Sequence, residues 1–197
     1  MMDGGFVRQK LKTKLKRMPT AEDVRDVYTK ILEKSAVKDM TLFRIYWYDS
    51  DPYCEKGTHP ISHAEIDFGK SAEAGPFFAL IQAMEFQPHV AVRRGKTALR
   101  GWKLGQRAMK DITKCPRVVN HKDVVPDIGQ KGVDMRIGLD IAWISLKHIA
   151  DVIVLVAGDS DFVPAMKFAR REGLRVYLDA LGHGVYPELK AHSDLVL

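Results

Sequence analysis

Aspartates placed directly after apolar runs are the residues in this chain whose types and spacing could do chemistry. Asp159 and Asp161 sit in Gly158-Asp159-Ser160-Asp161, immediately after Asp151-Val-Ile-Val-Leu-Val-Ala157. Ligands of open α/β sheets bind beyond the carboxyl ends of the strands, so two carboxylates there could hold a hard cation. The same residues could simply cap the following helix, whose first turn tolerates Pro164. Asp134 follows Lys131 and Gly132 at the start of a second helical pattern, where the helix dipole alone would favour it. Asp3 precedes two glycines at the end of what should be the first strand. Three acidic sites converging on one sheet edge would supply the oxygen ligands a magnesium ion needs beside its waters and a phosphate. Ser160 lacks a nucleophile-elbow context and a paired base, so it reads as a cap or a hydroxyl that orients a ligand. His59 and His63 are separated by Pro60 in a loop and read as structural rather than metal-binding.

The elements that must position these aspartates follow from periodicity. Residues 151–157 form a β-branched run bounded by turn residues, as a buried central strand would. Phe162, Val163, Met166 and Ala169 then recur at helical spacing, Gly173 closes that helix, and 174–178 is the next strand, a unit whose crossover should be right-handed. Val133, Ile137, Ile141 and Ile144 define a helix over 132–147 that packs on the sheet. Thr20 and Asp23 make a capping pair for a helix over about 20–35, residues 41–48 read as a strand, 75–86 as a helix and 90–94 as a strand. Between 94 and 133 the pattern turns basic and irregular. Strands alternating with helices imply one α/β domain over 1–197, a three-layer α/β/α arrangement with a mainly parallel central sheet.

Composition narrows the function classes. The 197 residues are 46% hydrophobic and 28% charged, which excludes a mostly disordered or fibrous chain. No apolar run approaches the roughly 20 residues of a membrane span, and no basic segment with an apolar stretch opens the chain, so a cytoplasmic protein without membrane contact is expected. Two distant cysteines suggest neither disulfide nor thiolate zinc site. Residues 1–120 carry 22 basic and 14 acidic side chains, whereas 121–197 carry 9 and 11. A basic surface for a polyanion set against an acidic cluster is the charge division of a metal-dependent nuclease.

Taken together, Asp3-Gly4-Gly5-Phe6, Tyr46-Trp47-Tyr48-Asp49, Lys131-Gly132-Val133-Asp134 with Leu139-Asp140-Ile141, and Val156-Ala157-Gly158-Asp159-Ser160-Asp161-Phe162-Val163-Pro164 resemble the NYN domains of the PIN-like nuclease superfamily, in particular the bacterial LabA-like group. The resemblance spans nearly the whole chain. It implies a Rossmann-like fold and a ribonuclease dependent on Mg²⁺ or Mn²⁺, with Asp3, Asp134, Asp159 and Asp161 as catalytic metal ligands. In that scheme the ion orients the scissile phosphate and activates a water, with no protein nucleophile. Asp140 also matches a family position. Six residues after Asp134 on a helix, it points about 120° away, so it supports the site from behind or serves the fold. Only Met1 and Met2 precede Asp3, so the first strand is expected to be stunted and Asp3 loosely held, or the true start to lie upstream.

For RNA, the expected partner in single-stranded or structured form, the candidate surface is residues 93–117, with nine Arg or Lys against one acid. Arg93, Arg94, Lys96, Arg100, Lys103 and Arg107 could contact phosphates, and Trp102 could stack a base. The segment from Arg8 to Arg17 adds six more cations. Three alternatives compete. A phosphatase using Asp159-Ser160-Asp161 would need that motif on its first strand, and a dinucleotide-binding protein would need Gly-x-Gly-x-x-Gly after a strand. The remaining rival is a non-catalytic RNA-binding or regulatory module on the same fold. A homodimer is compatible with this sequence.

Overall fold

The computed structural model describes residues 1–197. In chain order the elements are β1 (Met2–Asp3), α1 (Gly4–Leu15), α2 (Ala21–Leu32), β2 (Ile45–Ser50), β3 (Lys56–Thr58), β4 (Glu65–Asp67), α3 (Ala74–Glu85), β5 (Val90–Leu104), α4 (Gln106–Lys114), β6 (Val124–Lys131), α5 (Val133–Leu146), β7 (Val152–Val156), α6 (Val163–Arg171), β8 (Arg175–Asp179), α7 (Pro187–Ala191) and β9 (Leu195–Val196). Seven strands form one sheet in the order β6-β5-β2-β1-β7-β8-β9, parallel throughout except for β6. The mixed α/β fold with a mostly parallel sheet is the one the alternating pattern predicts, and no helix is long and apolar enough to cross a membrane.

Each face of the sheet buries its own core. On one side Tyr46 and Tyr48 of β2 pack with Val133, Ile137, Ile141 and Ile144 of α5 and with Met166 and Ala169 of α6. On the other, Met2 and Trp47 pack with Val7, Val24, Ile31, Phe77, Ile81 and Met84 from α1, α2 and α3. Period-two alternation along β2 therefore sends the tyrosines to one core and the tryptophan to the other, and no cofactor is needed to explain the aromatics. The capping pair also forms as expected: Asp23 accepts from the Thr20 backbone N–H at 2.7 Å while Thr20 Oγ1 accepts from that of Asp23 at 3.4 Å.

Two regions differ from the sequence expectation. The stretch after Arg94 is not irregular. β5 continues for 15 residues and pairs antiparallel with β6 from Lys96↔Lys131 to Leu104↔Val124, with a register shift between Leu99 and Trp102. Gly101, at φ +132°, lies at that shift. The basic run from Arg8 is mostly the helix α1, where Arg8 bonds Asp49 and Lys12 bonds Glu73. Charge density had masked both elements, because cations outnumber apolar residues on their exposed faces.

The Asp3-Gly4-Gly5-Phe6 segment has steric reasons for its residues. A Cβ on Gly4 would stand 2.7 Å from Trp47 Cε2 and 2.7 Å from the Tyr48 carbonyl oxygen, so α1 can start against β2 only on glycine. Phe6 lies over Gly158, where a Cβ would come within 2.6 Å of the phenyl ring. The first and last motifs thus lock together by ring-on-glycine packing. Gly4→Ala is expected to destabilise the fold by about 1–3 kcal/mol through overpacking, read as a lower midpoint in urea. A midpoint equal to wild type would mean that α1 can shift to make room.

Candidate active site

The chain runs from β1 outward through β2, β5 and β6, then returns to the far side of β1 for β7, β8 and β9. β1 and β7 flank the point where the direction reverses, which is where the crevice of an open α/β sheet forms beyond the carboxyl ends. Asp3 ends β1, and Asp159 and Asp161 lie in the turn after β7. Asp134 is the second residue of α5, whose entry turn is made by Gly132 at φ +77°, a conformation that favours glycine.

Asp3 is better anchored than a two-residue strand suggests. Its Oδ1 accepts the Phe6 backbone N–H at 3.1 Å, capping α1, and Met2 pairs with both Trp47 and Val156. The loose hold expected from the sequence is corrected by this cap, which fixes the side chain where pairing alone is short. Asp159 also serves as a cap: its Oδ1 accepts the Asp161 N–H at 3.0 Å and starts the turn Ser160–Phe162, with Ser160 as its first residue. Pro164 follows in the first turn of α6.

Asp3, Asp134, Asp159 and Asp161 share one property: none forms a salt bridge, although thirteen such pairs exist in the molecule. Burial pushes the Asp3 carboxyl up to about 6 against the pull of the Phe6 N–H, and the charges of Asp134 and Asp49 push it further. Burial likewise raises Asp134, with Asp159 and Asp161 adding repulsion. The carboxylates therefore sense one another without any cation among them. As they stand, no three carboxylate, imidazole or thiolate groups are close enough together to grip an ion directly. An all-oxygen donor set spread along the sheet edge nonetheless fits a hard dication that keeps several waters and takes the remaining ligands from a phosphate.

Sequence reasoning missed Asp49. It is wholly buried at the carboxyl end of β2 and accepts from Arg8 Nε at 3.1 Å, Gln130 Nε2 at 2.6 Å and the Ser50 N–H at 2.9 Å. Arg8 in turn stacks over the Phe77 ring at 3.8 Å. A carboxylate ending an apolar strand was the available signal, but its pairing with a cation 41 residues away was not legible. Asp140 bonds Tyr48 Oη and Arg93 Nε, each at 3.0 Å, tying α5 to β2 and β5. Burial and the neighbouring Asp140 carboxylate push the Tyr48 hydroxyl above its ordinary range, so it stays a donor.

The basic residues divide into paired and free. Arg93 is held by Asp140, Arg94 by Asp51 and Glu85, and Lys103 by Asp127. Arg100 donates to the Gln130 carbonyl at 3.0 Å. Lys96 and Arg107 are exposed with no side-chain partner, and Lys96 stands register-opposite Lys131. Trp102 packs on His59 and Phe68, and the His59 ring accepts backbone N–H groups from Ile61 and Ser62, which accounts for that histidine without a metal. A cavity of about 780 Å³ opens among Met1, Ile45 and Val152 at the opposite end of the strands and holds none of the four aspartates.

The structure is a three-layer α/β fold whose switch point carries four carboxylates without salt-bridge partners. Residues 77–194 match the model of the NYN domain, and the chain belongs to that family, within the PIN-like nuclease superfamily. The match includes Asp134, Asp140, Asp159, Asp161 and the basic run, while Asp3 precedes it. A Vibrio parahaemolyticus protein of unknown function, known from a crystal structure, is 20% identical over 58% of this chain and 73% of its own, with a TM-score of 0.31. No curated protein matches the sequence significantly.

The Asp3 carboxyl, raised in the fold, favours the folded state while protonated. Its stabilising contribution is complete below the unfolded value near 3.8 and is lost as pH rises through about 6. Asp3→Asn keeps a capping oxygen but removes the charge. In chelator the variant should melt higher than wild type above pH 6, by up to ~3 kcal/mol of stability, and the two should converge near pH 4. A constant difference across that range would mean that Asp3 is not the group responsible.

Proposed function

We infer that the protein is a ribonuclease that hydrolyses RNA phosphodiester bonds with Mg²⁺ or Mn²⁺ held by Asp3, Asp134, Asp159 and Asp161. The observation that carries this reading is the placement of four carboxylates without cation partners along the carboxyl edge of β1 and β7, where Asp134 repels Asp3, Asp159 and Asp161 and two of the four have raised pKa values. Structural carboxylates in this molecule, such as Asp49, Asp140 and Asp179, are neutralised by an arginine or lysine. Repulsion left uncompensated is accounted for if a dication belongs there. When bound, such an ion supplies neutralisation of the scissile phosphate and activation of an attacking water.

The chain's own residues supply the rest. Asp159 and Asp3 present carboxylates fixed by backbone caps, so little side-chain freedom is lost on engaging a ligand. The side chains of Asp134 and Asp161 accept no hydrogen bond within the protein and can take up either ion or water. Beyond the site, β5 and β6 extend past the end of β2 as a two-stranded ribbon, on which Lys96 faces Lys131. Like charges opposite each other repel, and a phosphate between them would turn that cost into binding. We assign RNA contact first to Lys96, Arg100 and Arg107, then to the carboxylate-paired Arg93, Arg94 and Lys103, with the half-buried Trp102, packed on His59 and Phe68, as the aromatic of that ribbon. Within the family, the Lys131-Gly-Val-Asp134 and Gly158-Asp-Ser-Asp161 motifs favour the LabA-like group.

One observation favours a second reading, a non-catalytic RNA-binding module: no three ligating groups are close enough to hold an ion unaided. Cleavage of labelled single-stranded, hairpin and duplex RNAs separates the two. With Mn²⁺ the wild type should cleave, and Asp134→Asn and Asp159→Asn should each lose about 100-fold or more, since each removes charge stabilisation at the reacting phosphate. RNA bound but never cleaved by the wild type would establish the module instead. Replacing Lys96 and Lys131 by Glu should weaken RNA binding and flatten its salt dependence by roughly 0.7 in log–log slope for each phosphate no longer neutralised, with the melting temperature unchanged. An unchanged slope would remove the ribbon from the RNA surface.

A further inference from the structure

α5 is apolar on two faces. Val133, Ile137, Ile141 and Ile144 point into the core between the sheet and α6. On the opposite side Met135, Leu139, Trp143 and Leu146 are 67%, 61%, 50% and 58% exposed. These residues recur at intervals of four, four and three, with Ala142 between them, so at 100° per residue they form one continuous stripe along the full length of the helix. Isolated exposed apolar residues are ordinary, but four large ones aligned on a single helix mark a surface that is covered by a partner. Core packing explains none of them, and the RNA surface assigned above lies on the ribbon.

We propose that this stripe is the two-fold interface of a homodimer in which α5 of one protomer packs antiparallel against α5 of a second copy. Self-complementarity is the reason to choose a second copy over another protein. In a register centred between Asp140 and Ile141, Leu139 meets the small Ala142 of the other protomer, Trp143 meets Gly138, whose Cβ position is open, and Met135 meets Leu146, so the large side chains nearest the axis face small ones. Because the axis repeats every contact, one short stripe is used twice.

Charge selects the antiparallel sense. The amino-terminal end of α5 carries Asp134 close enough to Asp159 and Asp161 to feel their repulsion, three carboxylates against the exposed cations Lys131 and Arg136, whereas its carboxyl end carries exposed Lys147 and His148. Parallel pairing would set acidic end against acidic end. The antiparallel arrangement brings each basic end toward the partner's acidic one and opposes the two helix dipoles. Exposed Arg136 and Lys147 then form the polar rim.

Sedimentation equilibrium of the full chain at micromolar concentration tests the interface. Wild type is expected at twice the chain mass, and Leu139→Glu, a substitution on a solvent-facing position that leaves the core intact, at the chain mass with a cooperative melt retained. Trp143 supplies a second readout, since Trp47 is buried and Trp102 already packs on His59 and Phe68. Diluting wild type below the dissociation constant should shift its emission to the red, a shift that Trp143→Phe abolishes. For the register, Cys54 and Cys115 are replaced by serine, and a Leu139→Cys chain is mixed with an Ala142→Cys chain. Under mild oxidation the mixed disulfide should form in preference to either homodisulfide. A monomeric wild type, a dimer that survives Leu139→Glu, or preferred bonding between two Leu139→Cys chains would each overturn the proposal. None of these readouts depends on RNA cleavage, so failure here and failure of the nuclease reading are distinguishable.

Discussion

β1 is two residues long, yet it joins the two halves of the sheet, pairing with β2 on one side and β7 on the other. Everything at the carboxyl edge depends on that junction. It places Asp3 between the strand that ends in Asp49 and Ser50 and the strand that leads into Asp159 and Asp161. With so few ladder bonds, the position is secured by packing instead: Gly4 lies against Trp47 and Tyr48, and Phe6 covers Gly158. Two glycines without room for a methyl group therefore do what a longer strand would otherwise do. The Asp3 cap on α1 adds orientation to position.

The same edge shows how the chain distributes charge. Asp49 is as buried as any residue in the molecule, but Arg8, Gln130 and a backbone N–H satisfy it, so it behaves as part of the framework. Asp140 is likewise absorbed by Tyr48 and Arg93. The four remaining carboxylates have no cation partner: Asp3 is half-buried, Asp134, Asp159 and Asp161 are exposed, and the pKa values of Asp3 and Asp134 are raised. Carboxyl groups whose pKa is raised by burial and by neighbouring carboxylates are the kind of group that functional sites use. The framework aspartates and the free ones stand within one sheet edge, which is why charge counting alone does not separate them.

Basic residues follow a parallel logic. Of the six cations singled out between 93 and 107, half are tied to carboxylates brought in from other elements, and the free ones lie along or just beyond the ribbon of β5 and β6. An exposed ion pair contributes little to stability, so these pairs are better viewed as setting the angle of the ribbon than as holding it. The apolar outer stripe of α5 lies away from that ribbon, and the domain thus separates a polyanion-facing surface from an apolar one.

What the sequence determined by itself was local. Strand-turn-helix order around Asp159 and Asp161, the capping pair at Thr20 and Asp23, the helix of Val133, Ile137, Ile141 and Ile144, and the family motifs were all legible, because periodicity and turn chemistry depend on near neighbours. Tertiary structure decided what depends on distant partners. It chose Arg8 as the partner of Asp49, turned a basic stretch that reads as irregular into a paired ribbon, and left Met135, Leu139, Trp143 and Leu146 facing out of a helix whose pattern had marked only its buried side. A carboxylate at a strand end looks the same in sequence whether or not an arginine neutralises it. Only the fold, by bringing residues tens of positions apart within hydrogen-bond reach, distinguishes a framework charge from one available to a ligand.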